Sequence, residues 1–350
     1  MFLTPTLFIA FLALCECSRC PLCADPMENL KQDRLQAIQQ QILDKLGLPF
    51  APNLTDPKIP NIPPLLRLLE TSRNAELAAS RVKHEDNYHA KTKTIIMFPE
   101  KAPTIIREHS AKCCFFQFRE KASRLRISKA TLDVFVKRNP NASSTNRDPQ
   151  IKLYKRVFPV TEGIPEKELV TTKPIRPGQS GWYHFKVKKL LREWRREPHK
   201  NLGVEFEIEG NDGSLSLVTE GNEAKKPFLE VFTHDTGNKR RAKRRAGLDC
   251  DPYSHERRCC RYELTVDFEK FSWNWIIAPK RFRAYYCTGE CQEIMLPMYP
   301  HAHMVKKSTG KRPCCSPTKM SSISMIYFDF NQQIMFEEVP AMVAETCGCT

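Results

Sequence analysis

The sequence predicts a small disulfide-rich domain at the C-terminus, preceded by an α+β segment that contains an N-terminal helix, a proline-rich loop and a mostly antiparallel β-domain. Three observations lead to this fold class. Nine of the fifteen cysteines fall in the last 105 of the 350 residues. One stretch near the N-terminus has apolar residues at helical spacing, and seven short β-rich runs follow between Thr92 and Asp235. A chain of this length should form two or three domains.

The N-terminus has the pattern of a signal peptide. The apolar run from Leu7 to Leu14 is too short to span a membrane but suits a secretory signal, with cleavage expected after residue 17. A buried N-terminal strand is the alternative interpretation. Two N-glycosylation triplets, at Asn53 and Asn141, agree with secretion. The cysteines should therefore meet an oxidising compartment.

The first long helix is predicted from Leu35, Ile38, Ile42 and Leu46, which recur every three or four residues. Asp25 as N-cap, Pro26 and Glu28 in the first turn, and Gly47 as the stop define its ends. The next segment, LPFAPNLTDPKIPNIPP, is too rich in proline to cover the apolar stripe, so the helix should dock elsewhere on the molecule. A second short helix, LLRLLE, and a polar linker follow.

The β-domain is predicted from the runs TIIMF, CCFFQF, ATLDVFVK, IKLYKRVF, GWYHFKV, GVEFEI and FLEVF. One helix, KKLLREWRRE, interrupts them and has Leu190, Leu191 and Trp194 on one face. No glycine-rich phosphate loop and no nucleophile motif occurs in these runs. The sequence therefore predicts neither an enzyme nor a cofactor site.

Charge is divided unevenly along the chain. The formal net charge is +15, but residues 246–350 hold 12 basic and 12 acidic residues, so the whole excess precedes them. This argues against nucleic-acid binding by the C-terminal part. Six of the seven residues from Lys239 to Arg245 are basic. That run is interpreted as a protease site, with a solvated charge run as the alternative; a heparin-binding role could coexist with cleavage.

The C-terminal cysteines suggest a threaded disulfide ring. If Cys287 bonds Cys347 and Cys291 bonds Cys349, the two backbones close an eight-residue ring, and a third disulfide could thread it only past residues without side chains. Gly289 and Gly348 lie at the middle of the two arcs.

The spacings of the cysteine pairs do not fit a zinc site, and an odd cysteine in a secreted domain suggests a bond to another chain. Cys20-Pro-Leu-Cys23 is expected to form a disulfide rather than a redox site. The pairing of Cys20, Cys23, Cys113 and Cys114 stays open.

These residues resemble the transforming growth factor β superfamily. The blocks RCCRYELTVDFEKFSWNWIIAPKRFRAYYCTGEC, YPHAH, PCCSPTKMSSISMIYFDF and VPAMVAETCGCT are similar to the myostatin subgroup. Upstream, QILDKLGL, APNLT, DNYHAKTKTIIMFP, KCCFFQF, NLGVEFEI and PFLEV resemble the propeptide of that subgroup. The resemblance covers nearly the entire chain.

The resemblance implies a cystine-knot growth factor, mainly β with one helix between Cys291 and Cys314. It implies disulfides Cys250 to Cys260, Cys259 to Cys315, Cys287 to Cys347 and Cys291 to Cys349, and leaves Cys314 to join two chains. It divides the chain into a signal peptide (1–17), propeptide helices, wrapping loop and linker (18–91), a β-rich propeptide arm (92–237), a convertase site (238–245) and the mature growth factor (246–350).

The basic run then contains an R-x-K-R site for a furin-type convertase, formed by Arg241, Lys243 and Arg244, with Arg245 as the alternative last residue. Cleavage would release a homodimer that binds type II and type I receptor serine/threonine kinases and activates Smad signalling. Positions that match the type II site are Ile277, Ala278, Pro279, Ser324 and Ile326. Positions that match the type I site are Trp273, Trp275, Met298, Tyr299 and Val305, although the tryptophans could instead serve packing alone.

The helix from Leu35 to Leu46 would lie in the type I groove and keep the ligand latent; packing on the propeptide's own β-domain is the alternative. Other partners that the resemblance suggests are follistatin-like antagonists, heparan sulfate and a tolloid-type protease. Tolloid-type enzymes cut before aspartate in this family, but here Arg73 is followed by Asn74. A cystine-knot antagonist or matrix protein is the competing function, and it would not need the protease site, the receptor faces and the odd cysteine together.

Overall fold

The computed structural model describes residues 26–54, 57–77, 88–102, 104, 114–118, 126–139, 148–158, 166–176, 179–219, 224–233, 248–251, 256–291 and 313–350. We call residues 26–233 the N-terminal segment and residues 248–350 the C-terminal segment. Several predicted features lie outside the described residues: the signal peptide, Asp25, Cys20, Cys23, Cys113, Asn141, the basic run with Arg241, Lys243, Arg244 and Arg245, and Met298, Tyr299 and Val305. None of the helices in the described ranges is long and apolar enough to cross a membrane.

Two helices open the N-terminal segment. Helix α1 spans Pro26–Leu46 and stops at Gly47, whose φ of 66° lies in the left-handed region that glycine adopts without strain. Helix α2 spans Pro63–Leu77 and is longer than the predicted LLRLLE. The prediction of a polar linker from Arg73 was wrong for its first residues, because TSRNAEL contains no glycine or proline and continues the helix to Leu77.

In the described parts of the chain, eight strands and a third α-helix follow in the N-terminal segment, and seven strands lie in the C-terminal segment. The strands of the first set are β1 Lys91–Met97, β2 Ile127–Arg138, β3 Gln150–Val157, β4 Glu166–Pro174, β5 Gly181–Lys186, β6 Val204–Glu209, β7 Leu215–Val218 and β8 Phe228–Thr233. Helix α3, Lys188–Arg196, lies between β5 and β6. The second set is β9 Cys260–Tyr262, β10 Thr265–Asp267, β11 Ile276–Ala278, β12 Arg281–Arg283, β13 Tyr286–Thr288, β14 Cys315–Phe328 and β15 Ile334–Cys349.

One eight-stranded sheet runs through both segments. Its order is β11-β14-β15-β1-β8-β2-β5, with β7 also paired to β2. Strand β1 is antiparallel to β15 on one side and to β8 on the other, so that Thr94 lies opposite both Phe336 and Phe232. The two segments, which the sequence suggests are separate domains, therefore share one backbone hydrogen-bond ladder.

A three-stranded sheet of order β4-β3-β6 packs with this main sheet. Their common core contains Leu132 and Val134 of β2, Leu153 of β3, Phe206 of β6 and Trp194 of α3. The predicted strand CCFFQF does not form in its described part, residues 114–118, where Cys114 and Phe115 make isolated bridges to Val204 and Glu100. Strand β4 was not predicted, because it is an exposed edge strand whose charged sequence lacks an apolar pattern.

Candidate functional site

Four disulfides hold the C-terminal segment together. They join Cys250 to Cys260, Cys259 to Cys315, Cys287 to Cys347 and Cys291 to Cys349, with Cα–Cα distances of 6.0, 5.2, 5.6 and 5.8 Å. These are the pairs that the resemblance implies. The sulfurs of Cys259, Cys291 and Cys349 lie within 4.8 Å of one another. All three belong to disulfides, so their proximity reflects the crowded knot and provides no thiolate ligands for a metal.

Glycine allows the backbones to approach closely where the knot is threaded. A Cβ on Gly289 would lie 2.6 Å from the carbonyl carbon of Arg258 and 2.9 Å from the amide nitrogen of Cys259. Gly289 also has a φ of 126°, which side chains disfavour. Gly348 lies opposite Ser316 in the ladder of β14 and β15. At Gly289, therefore, any side chain would clash with the backbone of Arg258 and Cys259, where the chain enters the ring.

The vicinal cysteines Cys314 and Cys315, at the start of β14, differ in their bonding. Cys315 enters the knot, whereas the thiol of Cys314 is free and exposed. Two backbone hydrogen bonds of 3.0 Å between Cys314 and Thr350 fix this position at the end of the hairpin. The exposed thiol is held on the rigid end of a disulfide-bonded hairpin, where a second chain can reach it.

A bidentate ion pair anchors the start of the C-terminal segment. The guanidinium of Arg261 donates hydrogen bonds of 2.6 and 3.0 Å to the carboxylate of Asp249, and this raises the pKa of Arg261. Backbone bonds of Cys250 and Leu248 with Arg261 add to the attachment. The first described residues after the basic run are thus fixed against β9.

Helix α1 covers one face of the C-terminal segment. Leu35 and Ile38 pack against a buried cluster of Cys260, Tyr262, Leu264 and Tyr286. The guanidinium of Arg34 stacks 3.9 Å from the centre of the Tyr286 ring, and burial lowers the pKa of this arginine. Ile42, Leu43 and Leu46 belong to the same core as Trp273 and Trp275.

The last turn of α1 carries a buried cation. Lys45 is 3% exposed and donates a 2.9 Å hydrogen bond to the carbonyl oxygen of Pro340 in β15. Its ammonium also lies 4.6 Å from the centre of the Tyr88 ring, and burial lowers its pKa. The carbonyl of Lys45 accepts a 2.8 Å bond from the amide of Ala90, just before β1. One residue thus connects α1, β1 and the C-terminal segment.

The two tryptophans are buried in an aromatic cluster. Trp275 is 1% exposed and meets Tyr327 edge to face, with ring centres 5.5 Å apart. Trp273 stacks on Phe268 at 5.9 Å and contacts Trp275 at 5.2 Å. The two tryptophan rings therefore pack with each other and belong to the same buried core as Ile42, Leu43 and Leu46 of α1. Met298, Tyr299 and Val305, the other predicted type I positions, lie outside the described residues.

The opposite face is covered by α2. Ile277 and Ile326 are buried in one cluster with Ile62, Leu65 and Leu68, which lie at the start of α2 and just before it. Ala278 lies opposite Ile326 in the pairing of β11 with β14 and packs on the same cluster. Pro279 is buried and Ser324 is half-buried. The structure therefore brings the predicted type II positions together and places the N-terminal segment over their apolar members.

The proline-rich loop, residues 48–62, reaches the tip of the β14–β15 hairpin. The Phe50 ring lies 5.0 Å from the Phe330 ring, although both remain partly exposed. The tip turns without glycine: the carboxylate of Asp329 accepts hydrogen bonds from the amides of Asn331 and Gln333, and Gln332 takes a φ of 57°. Asn53, a predicted glycosylation site, is exposed in this loop.

Side chains reinforce the shared ladder. Thr92 of β1 donates a buried 2.7 Å hydrogen bond to Glu337 of β15, and Lys93 pairs with Glu338 at 3.3 Å. Sequence reasoning did not identify these residues, nor Arg34 and Lys45. Arg34 and Lys45 could have been found, because they lie eleven residues apart and therefore project along the same flank of the apolar stripe. The β1 contacts carry no such local signal.

Comparison with protein-family models gives two matches. Residues 258–349 match the model described as the transforming growth factor beta like domain. Residues 24–232 match the model of the TGF-beta propeptide. The boundary between the two matches lies in the stretch that holds the basic run. The C-terminal segment is thus similar to the growth-factor domain, and the N-terminal segment to its propeptide.

Proposed function

Because this chain belongs to the transforming growth factor β superfamily, we propose that it is the secreted precursor of a signalling ligand. The N-terminal segment is the propeptide and the C-terminal segment the growth factor. Cleavage after Arg244 or Arg245 by a furin-type convertase separates them. The growth factor then acts as a homodimer, bonded through Cys314, that brings type II and type I receptor serine/threonine kinases together and activates Smad signalling.

The observation that carries this proposal is the covering of both candidate receptor faces by the propeptide. Apolar surface in the centre of an interface supplies most of the affinity between proteins. Here Ile277 and Ile326 are buried beside α2, and Trp273 and Trp275 share the core with α1. A ligand whose binding faces are buried in this way cannot engage receptors until the propeptide leaves.

The contacts described above also account for noncovalent latency. Cleavage of the connecting chain leaves the β1–β15 ladder, the α1 contacts and the Phe50–Phe330 contact intact. The propeptide should therefore remain bound after cleavage and dissociate only when α1, α2 and β1 are displaced. Before cleavage, the same β1–β15 pairing aids folding because it gives the long growth-factor hairpin a partner strand.

We place the ligand in the myostatin subgroup on the strength of the sequence blocks, with a role in growth or differentiation that includes muscle. Follistatin-like antagonists are expected to compete for the same apolar faces. For a tolloid-type protease, the candidate bond after Arg73 lies within α2. A cut there requires local unwinding of the helix, and it would divide the element that covers Ile277 and Ile326.

The test is secretion of the whole chain beside an Arg244→Ala, Arg245→Ala variant and a Cys314→Ser variant. On gels, the parent should give a C-terminal fragment of about 105 residues that doubles in apparent mass without reductant. The arginine variant should remain uncut, and the cysteine variant should give a monomeric fragment. An uncut, monomeric parent would contradict the proposal.

A transcriptional reporter driven by the receptors separates a ligand from an antagonist. The growth-factor dimer freed of propeptide should activate the reporter, and adding purified propeptide back should suppress it. A dimer that only reduces the response to another ligand would establish the antagonist function instead.

A further inference from the structure

Helix α3 has one outer face made of cations. Lys189, Arg192 and Arg196 are exposed and lie three and four residues apart, so they fall on one side of the helix over about 10 Å of its axis. The opposite side, with Leu190, Leu191 and Trp194, is buried in the propeptide core. Because the apolar side of α3 is packed in the core, Lys189, Arg192 and Arg196 form a cationic stripe that faces solvent.

Within the described ranges, none of these three cations forms an ion pair with a carboxylate, and the acidic residues near them pair with lysines outside the stripe. Lys155 lies 3.3 Å from Glu168 and 3.4 Å from Glu193, and Lys200 lies 2.7 Å from Glu197. An open groove of about 650 Å³ lies between α3 and the edge strand β4, and its lining includes Lys155 and the stripe together with the carboxylates of Glu168, Glu193 and Glu197. The unneutralised charge of this surface is therefore positive.

We propose that the stripe of Lys189, Arg192 and Arg196 is a binding site for a linear sulfated polysaccharide. Like charges at helical spacing repel one another, so this arrangement favours an anion that spans several of them. Guanidinium groups bind tetrahedral oxyanions through paired N–H donors. A polymer with regularly spaced sulfates matches a straight row of cations better than a single small anion does.

The choice of a sulfated polysaccharide rests on the extracellular location in the proposed function. The site itself is independent of receptor binding, because α3 packs on β2 of the propeptide rather than on either covered face of the growth factor. Bound in this way, the precursor would be retained at cell surfaces or in matrix with its growth factor still covered. This surface is distinct from the basic run before the growth factor.

The test measures retention of the uncut precursor, carrying Arg244→Ala and Arg245→Ala, on immobilised heparin. A stripe variant combines Lys189→Gln, Arg192→Gln and Arg196→Gln. A matched control loses the same charge at exposed lysines elsewhere on the propeptide: Lys58→Gln, Lys101→Gln and Lys137→Gln. Both variants keep the remaining residues of the basic run.

The stripe variant should elute at a clearly lower NaCl concentration than the parent. In a plot of log affinity against log salt concentration, the magnitude of its slope should be smaller than that of the parent by about two to three. The control should elute close to the parent, and chemically desulfated heparin should fail to compete. A variant with Arg192→Lys and Arg196→Lys keeps the charge and should retain most of the binding.

Equal elution of the stripe variant and the control, or no binding of the parent at physiological salt, would overturn the inference. Secreted yield and circular dichroism confirm that each variant is folded. The receptor reporter is read separately on the released dimer. A working ligand with no stripe effect refutes only this site, whereas an inactive dimer refutes the proposed function.

Discussion

The ammonium group of Lys45 donates a hydrogen bond to the carbonyl oxygen of Pro340 across the boundary between propeptide and growth factor. This carbonyl lies in an irregular part of β15, where residues 340–342 stand between the paired positions Val339 and Val343 and Ala341 has a φ of 52°. The bulge interrupts the regular pairing with β14 beside the end of α1. A local irregularity of the growth factor thus meets the one buried cation in the last turn of the helix.

Replacing Lys45 with Met should weaken propeptide binding. The methionine keeps the apolar stem but loses the bond to Pro340 and the contact with Tyr88. A hydrogen bond to a charged group contributes about 1.5–3 kcal/mol, which corresponds to about a 10- to 150-fold loss of affinity. Titration of propeptide against the free dimer, read by the receptor reporter, measures the change. Gln36→Met is the control, because Gln36 is exposed on the same helix; equal affinities for the two variants would contradict the assigned role.

The contact between Phe50 and Phe330 should contribute less. Both rings are partly exposed, and an aromatic pair contributes about 0.5–1.5 kcal/mol beyond its buried area. Phe50→Ala in the propeptide should therefore reduce its affinity for the dimer by roughly 2- to 10-fold. A double-mutant cycle with Phe330→Ala in the growth factor tests whether the two rings act together. A coupling energy of zero would mean that the loop binds the fingertip through other residues.

Local elements of this fold could be predicted from the sequence because their signals are local. The apolar stripe of α1 and Gly47 at its end define the helix, and the alternating runs locate β2, β3 and β8. The cysteine and glycine positions at Gly289 already suggest a threaded ring. For the helix and the strands, the chain within about ten residues decides the conformation; the ring instead follows from the matching cysteine and glycine spacing of two segments that lie 60 residues apart.

The shared sheet could not be predicted in this way. Strand β1 has an apolar run that suits any buried strand, and nothing in it specifies β15 as a neighbour more than 230 residues away. The same holds for the burial of Ile277 and Trp275, because the helices that share their apolar clusters lie about 200 residues earlier in the chain. The core is present in the precursor, and α1 and α2 supply part of it. Long-range pairings depend on which surfaces meet, and one sequence alone does not reveal this.

The contact of α2 with the main sheet should be sensitive to pH through Glu230. Its carboxylate is buried in β8 and lies 3.2 Å from the guanidinium of Arg67 in α2. Burial raises the pKa of Glu230, while Arg67 and Lys129 act in the opposite direction. The folded state therefore holds this proton more tightly than the unfolded state. The resulting contribution to stability is fully present below the unfolded pKa of about 4.3 and is lost as the pH rises through the higher folded pKa.

Glu230→Gln removes this titration. The free energy of unfolding of the variant, relative to that of the parent, should increase as the pH rises from about 4 to 7. Urea unfolding of the intact precursor at several pH values measures the difference. Glu70→Gln, at an exposed position of α2, serves as the control. A difference between Glu230→Gln and parent that stays constant with pH would show that Glu230 does not titrate in this range.

Gly289→Ala should block formation of the knot. The new methyl group would lie within 3 Å of the backbone of Arg258 and Cys259, and the φ of 126° disfavours any side chain. Neither neighbour can move away, because Cys259 is bonded to Cys315 inside the ring. Gly181→Ala is the matched control, since a Cβ there would meet no atom within 4 Å. Gels of the secreted protein without reductant should show the disulfide-bonded dimer for Gly181→Ala, and little or none for Gly289→Ala. Normal secretion of a dimeric Gly289→Ala protein would mean that the ring can widen enough to admit a side chain. The close contact between Gly289 and the backbone of Arg258 and Cys259 would then not explain why glycine occupies this position.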